Sequence, residues 1–168
     1  MINFKSNEVR MALGISPSAA IRVLVVDDFA PFRQFISSTL ETIRDLEIVG
    51  QASDGVEAVQ KAVELKPDLV LMDIGLPVIN GIEAARRIRE LVPEARILFL
   101  SQESSAEIVQ EALSVGASAY VVKVNAGIEL VPALEAVLAK QISHCREAEL
   151  QFRLGTQSAV PRGVVGAS

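Results

Sequence analysis

Between Ile21 and Lys123, short apolar runs rich in β-branched residues alternate five times with amphipathic stretches of helical length. That pattern fits a parallel sheet covered by helices on both faces. The strand candidates are Ile21–Val26, Glu47–Ala52, Leu69–Met72, Arg96–Leu100 and Ala119–Val122. Four of them are nearly all apolar, and the second, with polar ends, reads as an edge strand. Helix starts are marked by Pro31, Asp54-Gly55, Asn80-Gly81 and Ser104-Ser105. In the second helix Val56, Val59, Val63 and Leu65 make an inward stripe, with Glu57, Lys61 and Glu64 outside. In the third, Ile82, Ala85, Ile88 and Leu91 point inward, and Arg86, Arg87, Arg89 and Glu90 form a solvated face. Right-handed crossovers then predict an α/β, flavodoxin-like (βα)5 doubly wound parallel sheet with strand order 2-1-3-4-5.

The 168 residues allow one domain and tails. Sixteen basic residues, spread along the chain, stand against twenty-one acidic ones, which disfavours a nucleic-acid surface. The single cysteine, Cys145, cannot form an internal disulfide, and with His144 as the only histidine a Cys/His zinc site is excluded. No apolar run approaches the roughly 18–20 residues of a membrane span. Lys5, Glu8 and Arg10 interrupt the N-terminus where a signal peptide needs continuous apolar sequence. A cytoplasmic location is expected.

In a sheet of this kind ligands bind beyond the carboxyl ends of the strands. Strand one ends in Asp27-Asp28, strand three in Asp73, strand four in Ser101 and strand five in Lys123. Three carboxylates crowded at a partly buried edge repel one another and are costly to keep ionised. Lys123 supplies one compensating charge, and Mg²⁺, which prefers a few carboxylate or carbonyl oxygens with retained waters, is the expected ion. Ser101 and Lys123 can donate to anionic oxygens, so the set suits a phosphoryl group. Asp73 could attack phosphorus as a carboxylate nucleophile, because phosphoryl transfer depends chiefly on positioning and charge stabilisation. Glycines 75, 81 and 116 form no Gly-rich nucleotide loop.

The segments VLVVDD (23–28), VLMDIGLPVINGIEA (70–84), ILFLS (97–101) and GASAYVVK (116–123), in this order, resemble the response regulator receiver domain of two-component signalling. The likeness covers about residues 20–140. It implies Asp73 as phosphoacceptor, and Asp27, Asp28 and Asp73 around Mg²⁺ with the backbone carbonyl of Gly75 as a further ligand. It also implies Ser101 and Lys123 as binders of the phosphoryl oxygens, and Ser101 with Tyr120 as the switch pair. Pro77 and Gly81 would shape the loop after the phosphoacceptor. The segment after Asp73 most resembles regulators that carry a C-terminal helix-turn-helix domain. Two departures stand out: Val124 replaces the proline common after the lysine, and Gln102 is bulkier than the small residue usual after Ser101.

The expected organisation is a flexible extension over 1–19, a receiver over 20–141, and a C-terminal helical extension and tail over 142–168. Ile128, Leu130, Val131, Leu134, Val137 and Leu138 make the last helix, with Pro132 in or near its first turn. Its stripe can continue through Ile142, Cys145, Leu150 and Phe152, with Gly155 as a stop. The tail after Gly155 is too short for a helix-turn-helix domain. Output is therefore expected through the face of helix 4, strand 5 and helix 5, which could also form a homodimer. The expected upstream partner is a sensor histidine kinase or phosphotransfer protein, and the chain is expected to be a signalling module and not an enzyme. The alternatives are a receiver-like interaction domain that is not phosphorylated, and a flavodoxin-like or phosphatase-like enzyme. The phosphatase option is weakened because its nucleophile belongs after the first strand in a DxD arrangement.

Overall fold

The computed structural model describes residues 20–139. Five parallel strands, β1 (Ile21–Val26), β2 (Leu46–Ala52), β3 (Leu69–Met72), β4 (Arg96–Ser101) and β5 (Ala119–Val122), form one sheet in the order β2-β1-β3-β4-β5. The expected order holds. The second strand starts one residue earlier than expected, at Leu46, and the fourth runs on to include Ser101. The helices are α1 (Ala30–Glu41), α2 (Gly55–Leu65), α3 (Gly81–Leu91) and α4 (Ala106–Ser114), with α5 described over residues 126–139. Residues 1–19, and the continuation of the last helix through Ile142, Cys145, Leu150 and Phe152 to Gly155, lie outside the described residues.

Alternation along the strands divides the core in two. Leu24, Val26, Val70, Met72, Ile97 and Phe99 face α2, α3 and α4, whereas Val23, Val25, Leu69, Leu71, Leu98, Leu100 and Val121 face α1 and α5. The central strand β3 is buried throughout and β2 is only half-buried, as an edge strand should be.

On α3 the expected Ile82, Ala85 and Ile88 are buried and Arg86, Arg87, Arg89 and Glu90 exposed, but Leu91 departs from the stripe, and on α2 the phasing itself differs. On α2 the innermost residues are Gly55, Ala58 and Ala62, with Val63 44% exposed; on α3 they are Gly81, Ile82, Ala84, Ala85 and Ile88, with Leu91 59% exposed. The cause is packing distance. These two helices touch each other as well as the sheet, so the face of closest approach belongs to small residues and the larger aliphatics flank it. Asp54 and Asn80 cap α2 and α3 by accepting from the backbone amides of Glu57 and Glu83, while Ser105 precedes α4 without a side-chain bond. On α5, Leu130, Leu134, Val137 and Leu138 are buried, but Ile128 is 82% exposed. Pro132 lies in the second turn and not the first. Proline lacks the amide that would donate to the Ile128 carbonyl, and Ile128 is an exposed residue.

Val78, in the loop between β3 and α3, has φ 71°, a left-handed conformation that a β-branched residue adopts only at a cost. Its side chain is 78% exposed, so little packing offsets this. Val78→Asn is expected to raise stability by about 1 kcal/mol, since Asn tolerates this region through local hydrogen bonding. Denaturant unfolding would show this as a higher midpoint at unchanged slope; an unchanged or lowered midpoint would contradict the strain.

Candidate functional site

The sheet's hydrogen bonding runs one residue past β1 and β3 and so fixes the two aspartates that follow them. The Asp27 amide donates to the Ala52 carbonyl (3.1 Å) and the Asp73 amide to the Val26 carbonyl (2.9 Å). Both side chains are buried, as is Ser101 at the end of β4, while Asp28 is exposed. Lys123, the first residue of a 3₁₀ turn (Lys123–Asn125) after β5, reaches back between them: its Nζ lies 2.5 Å from Asp27 Oδ2 and 3.0 Å from Asp73 Oδ2. The strand-end residues singled out in the sequence therefore converge.

Each carboxylate is held in place by its neighbours. Asp27 Oδ1 accepts from the Phe29 amide (2.8 Å), and Arg33 Nη1 donates to the Asp27 carbonyl (2.6 Å). Asp73 Oδ1 accepts weakly from the Gly75 amide (3.3 Å). Burial holds the Asp27 carboxyl above its ordinary pKa even with the ammonium beside it. Burial by itself would lower the Lys123 pKa, but the carboxylates of Asp27 and Asp73 more than reverse this and leave it raised.

The donor set fits a divalent cation. Asp27, Asp28 and Asp73 each offer an oxygen within 4.8 Å of the others, and Asp27 Oδ2 is buried with no hydrogen-bond donor aligned on it. Three hard oxygens, of which that of Asp28 belongs to an exposed residue so that waters can be retained, suit Mg²⁺. Beside them is a cleft of about 510 Å³ whose lining includes Asp28, Asp73, Gly75, Asn80, Ser101 and Lys123. Gln102 and Glu103 also line the cleft, placing the bulky residue noted in the sequence at its mouth.

Ser101 Oγ accepts from the Glu103 amide (3.2 Å), and the Tyr120 hydroxyl donates to the Glu103 carbonyl (2.8 Å). Ser101 and Tyr120 thus grip the same residue. Burial pushes the Tyr120 hydroxyl pKa up, and its ring packs tilted against Phe99 at 6.4 Å between centroids. Val124, where a proline was noted as missing, is 86% exposed, and no peptide bond among the described residues is cis.

Sequence reasoning missed Phe32, whose ring lies 4.6 Å from Lys123 Nζ. The spacing Phe32-Ile36-Leu40 was readable as a core stripe, but only the sheet order brings its top against the residue after β5. Arg33 was missed for the same reason.

Removing the ammonium should be costly. Lys123→Met leaves buried Asp27 beside Asp73 without a counter-charge, and a loss of about 3 kcal/mol is expected at pH 8, at the low end for a broken buried pair because the site opens on a cleft. Asp27, with its folded pKa already raised, would then take up a proton as pH falls. Its favourable contribution is present below the ordinary aspartate pKa and lost as pH rises through the folded value. The loss should therefore shrink toward pH 5. Urea unfolding at the two pH values checks this; an equal loss at both would show that the charge is not the cause.

Residues 23–135 match the family model for the response regulator receiver domain. Over 112 residues the chain is 45% identical to a protein-glutamate methylesterase/protein-glutamine glutaminase of Thermotoga maritima, covering 66% of this chain and 32% of that protein. Over 114 residues it is 39% identical to the response regulator protein VraR of Staphylococcus aureus, covering 68% and 54% respectively. The chain thus spans about a third to a half of the length of these relatives. Among solved structures, the response regulator domain of Thermotoga maritima CheB superposes with a TM-score of 0.66 at 37% identity, covering 74% of this chain and 97% of that domain. No helix among the described residues is long and apolar enough to cross a membrane.

Proposed function

The chain belongs to the response regulator receiver family, and from that premise we propose that Asp73 accepts a phosphoryl group from a sensor histidine kinase or phosphotransfer protein in a Mg²⁺-dependent reaction. The supporting observation is the double contact of Lys123 Nζ with Asp27 Oδ2 and Asp73 Oδ2 at the floor of the strand-end cleft. An Asp73 oxygen forms the new bond to phosphorus while the bond from phosphorus to the donor's histidine nitrogen breaks, its electron pair leaving with that nitrogen. Mg²⁺, held by Asp27, Asp28, Asp73 and the Gly75 carbonyl, would neutralise charge on the phosphoryl oxygens. Lys123 and Ser101 donate to those oxygens.

A receiver is a signalling domain, and the domain over 20–141 is proposed to act as one without an enzymatic activity of its own beyond gaining and losing its phosphoryl group. The extensions over 1–19 and 142–168 lie outside that unit. Drawing Ser101 toward the phosphoryl group would disturb the shared grip on Glu103 and release Tyr120 to turn inward, biasing the α4–β5–α5 face. That face, with Leu113 50% exposed, is the proposed output and homodimer surface, and the proposed setting is the cytoplasm. The relatives do not favour the flavodoxin-like or phosphatase-like alternatives.

Incubation with Mg²⁺ and acetyl phosphate should add the mass of one phosphoryl group, and borohydride reduction of the acyl phosphate should place homoserine at position 73. An unmodified chain would sink the proposal, and modification elsewhere would sink the assignment of Asp73.

A further inference from the structure

We propose that Phe32 is a positioning residue for the Lys123 ammonium, its ring face keeping the cation over the cleft while the cation exchanges Asp73 for a phosphoryl oxygen. This rests on the phosphoacceptor reading above. Among the described residues, Lys123 Nζ lies 2.5 Å from Asp27 Oδ2, 3.0 Å from Asp73 Oδ2 and 4.6 Å from the centroid of the Phe32 ring. The last lies within the roughly 6 Å over which an ammonium is attracted to an aromatic face.

The three contacts differ in what happens to them when Asp73 is used. Phosphorylation ends the Asp73 carboxylate as a free anion, so that contact is surrendered. A lysine stem is flexible and its ammonium strongly hydrated, so a cation that loses one anchor tends to move out to water. The exit is near, because Val124 and Asn125 after it are exposed. The ring contact is weakly directional and occupies no oxygen lone pair, so it survives the exchange and competes with no phosphoryl oxygen.

The ring is partly buried against the core beside α1. The Phe32 amide donates to the Phe29 carbonyl (3.0 Å), its ring packs against Phe35 with centroids 5.6 Å apart, and it continues the buried line of Ile36 and Leu40. A cation held by a partly buried ring on α1 and by Asp27 meets the incoming group with less freedom to lose.

The test separates the ring's charge distribution from its packing. Phe32 is replaced site-specifically by mono-, di- and trifluorophenylalanine, which drain the ring face of negative potential at nearly constant shape. The probe is beryllofluoride with saturating Mg²⁺, followed by calorimetry. Affinity should fall stepwise with fluorination, by about three- to tenfold at the trifluoro ring. Phe32→Leu should fall by a similar factor, and the thermal midpoint of the free protein should not follow the series. A flat series, or an affinity that merely tracks the midpoint, would overturn the role of Phe32 while leaving the phosphoacceptor reading standing. Wild type that fails to bind beryllofluoride would overturn both.

Discussion

Asp73→Asn is expected to abolish phosphoryl uptake from acetyl phosphate, down to the background of the chain's other carboxylates, while making the metal-free protein more stable. Loss of uptake follows from the chemistry: an amide is neither a usable nucleophile nor a hard anionic ligand, and among the described residues Asp27 is buried and does not line the cleft, while Asp28 lies exposed on its wall. The gain in stability follows from the electrostatics. Three carboxylates offer oxygens within 4.8 Å of one another against one ammonium, and removing a charge from the cluster relieves repulsion that desolvation aggravates. The amide oxygen can still accept from Lys123. A gain of about 1 kcal/mol, or roughly 4 °C in thermal midpoint for a domain of this size, is the expected scale. The two readouts guard each other. A variant that melts higher and takes up nothing is folded and chemically silent, whereas one that melts lower would leave the loss of uptake open to a structural cause. Saturating Mg²⁺ should close the stability gap, because the cation relieves in wild type the repulsion that the substitution removes. A gap unchanged by Mg²⁺ would show that the cluster is not where the ion acts.

The residues of that cluster were readable in the sequence because a strand's apolar run stops abruptly where the chain leaves the sheet, so Asp27, Asp73, Ser101 and Lys123 stood out at four equivalent stops. Strand order followed from crossover handedness and could be expected in advance. The inward face of α2 could not, nor could the exclusion of Leu91 from that of α3. Periodicity identifies a stripe by hydrophobicity, but the closest packing selected Ala58, Ala62 and Ala84, and left Val63 and Leu91 in water. The same limit hid Phe32 above Lys123, a contact between α1 and the far edge of the sheet, 91 positions apart by number. It also hid Val78, whose left-handed backbone is imposed by a loop pinned at both ends and by nothing in its own side chain.

That pinning makes Gly81→Ala the most damaging small substitution near the site. The Gly81 amide donates to the Ile74 carbonyl (2.8 Å), which draws the first turn of α3 onto the backbone that follows β3. A Cβ at position 81 would lie 1.9 Å from the Asp73 carbonyl oxygen and 2.8 Å from both the Asp73 carbonyl carbon and the Ile74 Cα. All three are main-chain atoms, so no side chain can rotate away. Either α3 lifts from the sheet, opening the seam around Ala84, Ala85 and Ile88, or the Asp73 backbone shifts and takes the carboxylate out of reach of Lys123. Overpacking commonly costs about 1–3 kcal/mol, and contact with rigid backbone puts this case at or above the top of that range. Gly81→Ala should therefore unfold at least about 3 kcal/mol more easily in urea and lose most of its phosphoryl uptake even below its unfolding transition. Gly75→Ala is the matched control: its Cβ would come no closer than 4.0 Å, to Asp73 Oδ2, so stability should change little although it too flanks the phosphoacceptor. If both substitutions behaved alike, the close approach of α3 to Asp73 would not be what sets the geometry of the site. If only Gly81→Ala fails, the glycine noted in the sequence as shaping the loop acts by letting a helix end press directly on the backbone of the phosphoacceptor.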